Sequence, residues 1–306
     1  MRRCAKAGRG NKGGECFLKT MELSVIIVSW NVRDYLRQAL SSVVAAAEGI
    51  SHEVTVIDNN SSDGSPDMVE KEFSRVRLIV SGANEGFSAA CNKGIRASSG
   101  DYLLILNPDT VVSRDALARA LAFMRSHPDA GAAGARMTDG NGRFLPESKR
   151  GFPSPLTSLF RFTGLGRLFP RSALFNAYYL GEKPDDEICR ADILTGAFMM
   201  IRREALDKAG LFDTAYFMYG EDIDMSWRIR KAGYYNYYLP DVQIIHYKGR
   251  STMTDRAGSL RHFYGAMKIF AVGHLHRGWH LPVKACVTLL ETSALVRFRL
   301  GQLIKK

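Results

Sequence analysis

Carboxylate side chains that could bind a metal or accept a proton stand at two places in this chain of 306 residues. Three of them, Glu221, Asp222 and Asp224, fall within four positions where a helical pattern begins. The positive end of a helix dipole favours acids there, so a well-capped helix start is an alternative interpretation. A further acid, Asp109, follows an apolar run and stands beside Pro108, which fixes the turn. An ionised carboxylate in either place can bind Mg²⁺ or Mn²⁺ together with phosphate oxygens, or act as a general base.

The elements that must position these acids alternate between short β-branched runs and helical patterns. The continuous apolar run Leu23–Ser29 is typical of a strand buried on both faces of a parallel sheet. The spacing predicts an α/β fold, a Rossmann-like doubly wound sheet built from right-handed βαβ units. Further strands are predicted at 53–57, 76–80, 102–106 and 191–203, and helices at 33–47, from 65, at 88–97 and at 220–231.

Polar residues follow each of the first four predicted strands. Ligands of doubly wound sheets bind at the carboxyl ends of the strands, so these residues are expected to converge on one edge. The segments are Ser29 to Asn31, Asp58 to Ser65, Asn84 to Phe87 and Asn107 to Thr110.

Six segments of the chain together resemble a known family. They are VIIVSWN, VIDNNSSDGS, NEGFSAACNKG, LLILNPDT, LTGAFMMIRREAL and YGEDIDMSWRIRKAGY. In this order they resemble glycosyltransferase family 2 with the GT-A fold, and most closely its bacterial rhamnosyltransferase-like members. The resemblance runs from about Leu23 to Ser251. It implies a mixed sheet, and an inverting, metal-dependent transfer of a sugar, rhamnose by this likeness. The acceptor implied is a hydroxyl of a glycan or lipid-linked molecule in cell-surface polysaccharide synthesis.

The resemblance assigns six residues to the nucleotide. Trp30 lies in the loop that meets the nucleobase, where an aromatic ring can flank the base. Asp58 matches the acid that accepts a hydrogen bond from N3–H of uracil or thymine, so the donor implied is a dTDP- or UDP-linked sugar. The six residues are Ser29, Trp30, Asn31, Asp58, Asn84 and Asn107.

The metal and the catalytic base are implied in the same way. Asn107 and Asp109 match the family's DxD position, where Asn107 removes one charge and leaves Asp109 as the acidic ligand of Mg²⁺ or Mn²⁺. His246 matches a metal or diphosphate contact of some members, although a structural role is an equal alternative. Asp222 matches the general base, with Glu221 orienting the acceptor. The bound metal would stabilise the leaving diphosphate while Asp222 accepts the hydroxyl proton in one inverting displacement.

Four more residues are expected near the acceptor or the diphosphate. For Trp227 helix packing is an equal alternative, and for Arg228 a surface ion pair is the alternative. The four are Thr195, Gly196, Trp227 and Arg228.

The chain divides into three predicted regions. Residues 1–20 hold six Lys or Arg against one Glu, and we expect a disordered basic tail. Residues 21–250 form the predicted catalytic domain, within which the Pro-, Gly- and Arg-rich segment 139–186 is expected to be a mobile insertion or lid near the acceptor. Residues 251–306 form a helical basic extension.

The extension has the pattern of an amphipathic helix from Leu281, with Pro282 in its first turn. Such a helix packs on the catalytic domain or lies in a membrane interface. The net charge of +11 is concentrated at the chain ends, and we favour contact with an anionic membrane surface. The five cysteines are scattered without a CxxC pair, which favours a reducing compartment and hence a cytoplasmic, peripheral location.

Other classes of protein fit the sequence less well. The segment SWNVRDYL after the first strand has no Gly, so it lacks both the GxGxxG turn of a dinucleotide-dependent oxidoreductase and the phosphate loop of a nucleotidyltransferase. The basic residues lie at the ends rather than on a reading domain, which argues against a nucleic-acid partner. A non-catalytic nucleotide-sugar-binding or scaffolding protein on the same fold remains the alternative.

Overall fold

The computed structural model describes residues 21–248, 256–275 and 277–303, so the predicted tail at 1–20 lies outside the described residues. The strands are β1 (Leu23–Ser29), β2 (His52–Asp58), β3 (Arg77–Val80), β4 (Tyr102–Leu106), β5 (Thr110–Val112), β6 (Ala130–Thr138), β7 (Cys189–Ala191), β8 (Phe198–Arg202) and β9 (Tyr235–His246). The helices are α1 (Arg33–Ala46), α2 (Ser65–Glu72), α3 (Phe87–Arg96), α4 (Ala116–Ser126), α5 (Pro155–Thr163), α6 (Leu165–Leu168), α7 (Arg203–Ala209), α8 (Glu221–Lys231), α9 (Arg256–His274) and α10 (Arg277–Leu303).

The strands form one mixed sheet in the order β3-β2-β1-β4-β8-β6-β9-β5, with β7 paired to β9. The first four strands are parallel, and β8 runs antiparallel to both β4 and β6. Strand β9 is parallel to β6 and antiparallel to β5 and β7. This arrangement confirms the predicted α/β fold with a mixed sheet.

Strand β1 is covered by helices on both faces of the sheet. Its side chains alternate between two hydrophobic clusters: Val25 packs on the side of α1, and Ile26 packs on the side of α3. Helix α3 approaches so closely that a Cβ atom at Gly94 would lie 2.5 Å from Ile26 Cγ2. A strand with no solvent-facing side has no reason to alternate, which is why its sequence is one continuous apolar run.

The predicted strand over 191–203 was correct only at Ala191 and over residues 198–202. The structure has β7 ending at Ala191, a turn, then β8 from Phe198, and helix α7 begins at Arg203. The two strands pair with different neighbours, since β7 pairs with β9 while β8 lies between β4 and β6. The intervening turn contains Thr195 and Gly196 and carries the chain from one part of the sheet to the other.

The insertion at 139–186 has secondary structure of its own. Ser154 caps α5 by accepting from the Thr157 N–H in a capping box, with Pro155 in the first turn. The rings of Phe160 and Phe169 lie 5.0 and 5.1 Å from the ring of Phe175, which packs α5 against the segment that follows α6.

The C-terminal extension packs on the catalytic domain through α9. His274 Nε2 lies 2.8 Å from Asp224 Oδ1 on α8, and Lys268 forms a 2.6 Å ion pair with Glu291 on α10. Helix α10 begins at Arg277 and not at Leu281, so the expectation that Pro282 lies in the first turn was wrong.

Helix α10 leaves several of its apolar side chains exposed. Val287 is buried, whereas Trp279, Leu281, Leu289 and Val296 are about half exposed or more. No helix in the described ranges combines the length and apolar character needed to span a bilayer.

Candidate active site

A cavity of about 400 Å³ opens at the carboxyl ends of the parallel strands. The loops after β1, β3 and β4 contribute to its lining, as the topology predicts for a doubly wound sheet. Nine of the fourteen candidate site residues predicted from the sequence line this cavity: Trp30, Asn84, Asn107, Asp109, Thr195, Gly196, Glu221, Asp222 and His246.

Asp109 and His246 form one wall of the cavity. The register of β5 and β9 pairs Thr110 with His246, which brings Asp109 beside the end of β9. His246 Nε2 lies 3.3 Å from Asp109 Oδ1, and both side chains are at least nine-tenths buried. His246 Nδ1 is buried with no hydrogen-bond partner among the described residues.

This pair fits a hard divalent cation that also takes oxygens from its substrate. The described residues place no third His, Cys, Asp or Glu with the pair. Mg²⁺ is commonly held by one or two protein ligands, and phosphate oxygens and water fill its remaining positions. The donor set of one carboxylate and one imidazole therefore fits a cation bound jointly with a diphosphate.

Glu221 and Asp222 begin α8 on another wall. The preceding residue, Gly220, has φ of 80°, and a Cβ there would lie 3.0 Å from Ala266 Cβ. Asp222 Oδ2 accepts a 2.6 Å bond from Arg150 Nη2, and its Oδ1 accepts from the Ile223 N–H at 2.8 Å. The carboxylate of Asp222 is thus fixed in orientation by a largely buried guanidinium.

The neighbouring Glu221 has a raised pKa. Its side chain is buried, and Oε2 has no partner in the described part of the chain. Burial raises the pKa of Glu221 to about 8, with the charge of Asp222 acting in the same direction and Arg150 opposing it. At neutral pH Glu221 is therefore mostly a neutral carboxylic acid.

Three residues predicted to meet the nucleotide do not line the cavity: Ser29, Asn31 and Asp58. Asn31, at φ of 53°, joins two loops, because its N–H donates to Ser61 Oγ at 2.9 Å and its Oδ1 accepts from the Ser62 N–H at 2.8 Å. Asp58 accepts from the Ser61 N–H through Oδ2, and its buried Oδ1 has no partner among the described residues. Buried oxygens are rarely left unpaired, so Asp58 Oδ1 is a candidate acceptor for a ligand donor.

Trp227 and Arg228 also lie outside the cavity. The Trp227 ring packs 4.7 Å from the Phe152 ring, in an edge-on contact, and Arg228 pairs with Asp224 at 2.7 Å. Arg228 donates to the carbonyl of Ala209 as well. The structure therefore does not bring these two side chains to the site, and both have the packing or ion-pair partners that the sequence left as alternatives.

Comparison with known proteins identifies the family. Residues 24–210 match Glycosyl transferase family 2. The chain belongs to glycosyltransferase family 2. It is 31% identical over 273 residues to the N-acetylglucosaminyl-diphospho-decaprenol L-rhamnosyltransferase of Mycobacterium tuberculosis, covering 86% of this chain and 88% of that protein. It is 27% identical to the rhamnosyltransferase WbbL of Escherichia coli, covering 73% of this chain and 82% of the relative.

Solved glycosyltransferase structures share the fold. A mannosyltransferase of Pyrobaculum calidifontis in complex with GDP-Man and Mn²⁺ superposes with a TM-score of 0.57 at 19% identity, covering 92% of this chain and 80% of that one. S. aureus TarS 1–349 in complex with UDP-GlcNAc gives a TM-score of 0.57 at 20% identity, covering 88% and 72%. These neighbours support the GT-A fold of this family 2 glycosyltransferase.

The insertion contributes site residues that the motifs did not reveal. Arg150 belongs to no recognisable motif, and only the basic composition of its segment signals a charged contribution. Arg161 lies 4.7 Å from the ring centre of Tyr178 and 5.5 Å from that of Tyr179. The residues that line the cavity from the insertion are Glu147, Arg150, Arg161, Tyr178 and Tyr179.

The C-terminal extension also reaches the cavity of this glycosyltransferase. Phe263 on α9 lines it, and His262 stacks on Phe217 at 4.5 Å. Phe217 itself lines the cavity. The predicted boundary between the catalytic domain and the extension therefore does not separate the site from α9.

The raised pKa of Glu221 predicts how the free energy of unfolding depends on pH. The folded state holds the Glu221 proton up to a pH of about 8, while the unfolded chain releases it near its ordinary pKa of 4.5. Between these values the folded state binds more protons, so stability falls as pH rises, by at most about 1.4 kcal/mol per pH unit from this group. Urea denaturation of Glu221→Gln should lack this fall and should gain stability relative to wild type toward neutral pH. Parallel pH dependences of the two proteins would contradict the buried, protonated state.

Proposed function

We propose that this enzyme transfers a sugar from a nucleotide diphosphate to a hydroxyl with inversion at the anomeric carbon. The observation that carries the proposal is the placement of the Asp109–His246 pair and of Asp222 on walls of the same cavity. One wall suits a diphosphate with its cation, and the other offers a carboxylate oriented for proton transfer. A binding or scaffolding protein would have no need of this combination.

In this proposal, residues of the chain bind the cation, accept the proton of the hydroxyl and orient the acceptor. Asp109 and His246 would hold Mg²⁺ or Mn²⁺, which when bound supplies Lewis-acid stabilisation of the charge that develops on the leaving diphosphate. Asp222 accepts the proton of the acceptor hydroxyl as its oxygen attacks, and Arg150 fixes the carboxylate during that step. Glu221, which is protonated, orients the acceptor by donating a hydrogen bond. A single displacement needs no covalent carboxylate nucleophile, which favours inversion.

The donor is proposed to be a dTDP- or UDP-linked sugar. Asp58 Oδ1 has no hydrogen-bond partner in the described structure, and N3–H of uracil or thymine is the donor that such an oxygen accepts. Trp30 and Asn84 line the cavity near the ends of β1 and β3, where the base and ribose of a nucleotide would lie. Rhamnose is the proposed sugar because both named bacterial relatives are rhamnosyltransferases.

The acceptor is proposed to be a glycan carried on a lipid diphosphate. The mycobacterial relative is named for transfer to N-acetylglucosaminyl-diphospho-decaprenol, and the sequence similarity extends over most of both chains. The enzyme would then work at the cytoplasmic membrane surface. Helix α10 supports this location, because it carries the exposed apolar side chains Leu281 and Leu289 and the exposed basic side chains Lys284 and Arg297.

The base assignment is tested by Asp222→Asn. The amide keeps the size of the side chain but cannot accept the proton, so transfer should fall by about 10² to 10⁴. Donor affinity should change little, and Asp207→Asn on the exposed surface of α7 should leave transfer unchanged. A collapse of donor affinity with normal turnover at saturation would make Asp222 a binding residue.

The metal assignment is tested by Asp109→Asn. The substitution removes the charge that offsets a divalent cation, so transfer should be lost while the circular dichroism spectrum is kept. Excess EDTA should abolish transfer by wild type, and added Mg²⁺ or Mn²⁺ should restore it. Full wild-type activity in excess EDTA would contradict the assignment of Asp109 as a metal ligand.

The nucleobase assignment is tested by Asp58→Ala. Calorimetric titration with UDP and dTDP should show binding weakened by roughly 1 to 3 kcal/mol, the usual effect of leaving a buried donor unpaired. Titration of wild type with GDP provides the control and should give weaker binding than UDP. Equal UDP affinity in the two proteins would exclude Asp58 from base recognition.

A further inference from the structure

The insertion presents exposed apolar and basic side chains, which we call the insertion surface. Leu168 is 72% exposed, and the other apolar members are exposed by half or more of their area. Such groups of exposed large apolar residues mark contact sites when they occur together. The insertion surface consists of Leu156, Leu159, Leu168, Phe169, Leu174, Arg161, Arg167 and Arg171.

The insertion surface carries only positive charge. Between Glu147 and Glu182 the chain has five Lys or Arg and no acidic residue. Arg161, Arg167 and Arg171 are exposed, and none of them forms an ion pair in the described part of the chain. Some exposed arginines elsewhere on the surface do form ion pairs, as Arg114 does with Glu48 and Arg119 with Asp115. Unpaired arginines beside apolar side chains are complementary to a surface that is both anionic and apolar.

The insertion surface adjoins the cavity. Arg161 belongs to both, since it lines the cavity while its guanidinium lies over the Tyr178 and Tyr179 rings. Phe169 is connected to α5 through Phe175, so the apolar members belong to the same packed unit. A partner that covers the insertion surface would therefore lie next to the cavity.

We propose that the insertion surface docks on a lipid bilayer that contains anionic phospholipids. The leucines and Phe169 enter the interface between headgroups and acyl chains, and the three arginines meet lipid phosphates. Docking in this orientation holds the cavity beside the bilayer, where a lipid-linked acceptor presents its sugar. This last consequence rests on the proposed function, whereas the docking itself does not.

Co-sedimentation with vesicles tests the docking. The full chain is mixed with phosphatidylcholine vesicles that contain rising fractions of phosphatidylglycerol. Arg167→Gln with Arg171→Gln removes charge without altering a cavity residue, and binding should weaken about fivefold for each arginine removed, equivalent to about 1 kcal/mol per basic residue. Leu159→Ser with Leu168→Ser should weaken binding at every lipid composition.

Matched controls separate docking from general effects of charge and hydrophobicity. Arg114→Gln with Arg119→Gln removes the same charge elsewhere, and Val44→Ser removes an exposed apolar side chain of α1. Both should bind vesicles as wild type does. Leu281→Ser with Leu289→Ser measures the contribution of α10 in the same assay. If the insertion variants bind as tightly as their controls, the proposal is overturned, whatever the α10 variant does.

Vesicle binding is measured without turnover, so the two proposals fail separately. Wild-type protein that binds anionic vesicles through the insertion but transfers no sugar would contradict the proposed function and leave the docking intact. Insertion variants that keep wild-type vesicle binding would contradict the docking, even if the enzyme transfers sugar normally.

Discussion

The largely buried ion pair between Arg150 and Asp222 joins the insertion to the start of α8, and much of the site depends on it. A charge taken out of water is strongly destabilising unless it is paired, so each partner constrains where the other can lie. Arg150 also donates to the carbonyl of Leu194 at 3.1 Å, which ties the turn before β8 to the same point. Burial, together with the charge of Asp222, raises the pKa of the adjacent Glu221 to about 8. Glu221 is therefore a mostly neutral acid at neutral pH beside the ion-paired Asp222.

The sheet positions the remaining site residues, because it contains both parallel and antiparallel strands. Strands β1 to β4 are parallel and deliver their loops to one edge, whereas β8 returns antiparallel beside β4. The antiparallel pairing of β5 with β9 brings Asp109 and His246 together although they are far apart in the chain. Helix α9 then packs against the loop before α8, so the C-terminal extension completes a wall of the cavity.

The sequence predicted those elements whose burial leaves a clear pattern. Strands β1 to β4 are apolar runs followed by polar loops, and their positions were correct to within about one or two residues at each end. Strand β6 was missed because AGAAGARMT consists mainly of Ala and Gly, which have low strand propensity. Strand β9 includes Pro240 and a shift in register, which hide its period of two.

Among site residues, Arg150 was missed because its role depends on a tertiary partner 72 positions away. Trp227 and Arg228 were predicted to lie in the site only because they match the family motif. In the structure they lie further along α8 and contact other partners.

In the mechanism that we propose, one cavity combines a wall for the cation and the diphosphate with a single oriented base, so that the sugar is transferred in one displacement. The most direct test is the anomeric configuration of the product, measured by nuclear magnetic resonance of the linkage formed from a nucleotide sugar of known configuration. We expect the product to have the opposite anomeric configuration from the donor. A product that retains the donor's configuration would contradict it, because retention requires a second displacement or an internal return that Asp222 as base does not provide.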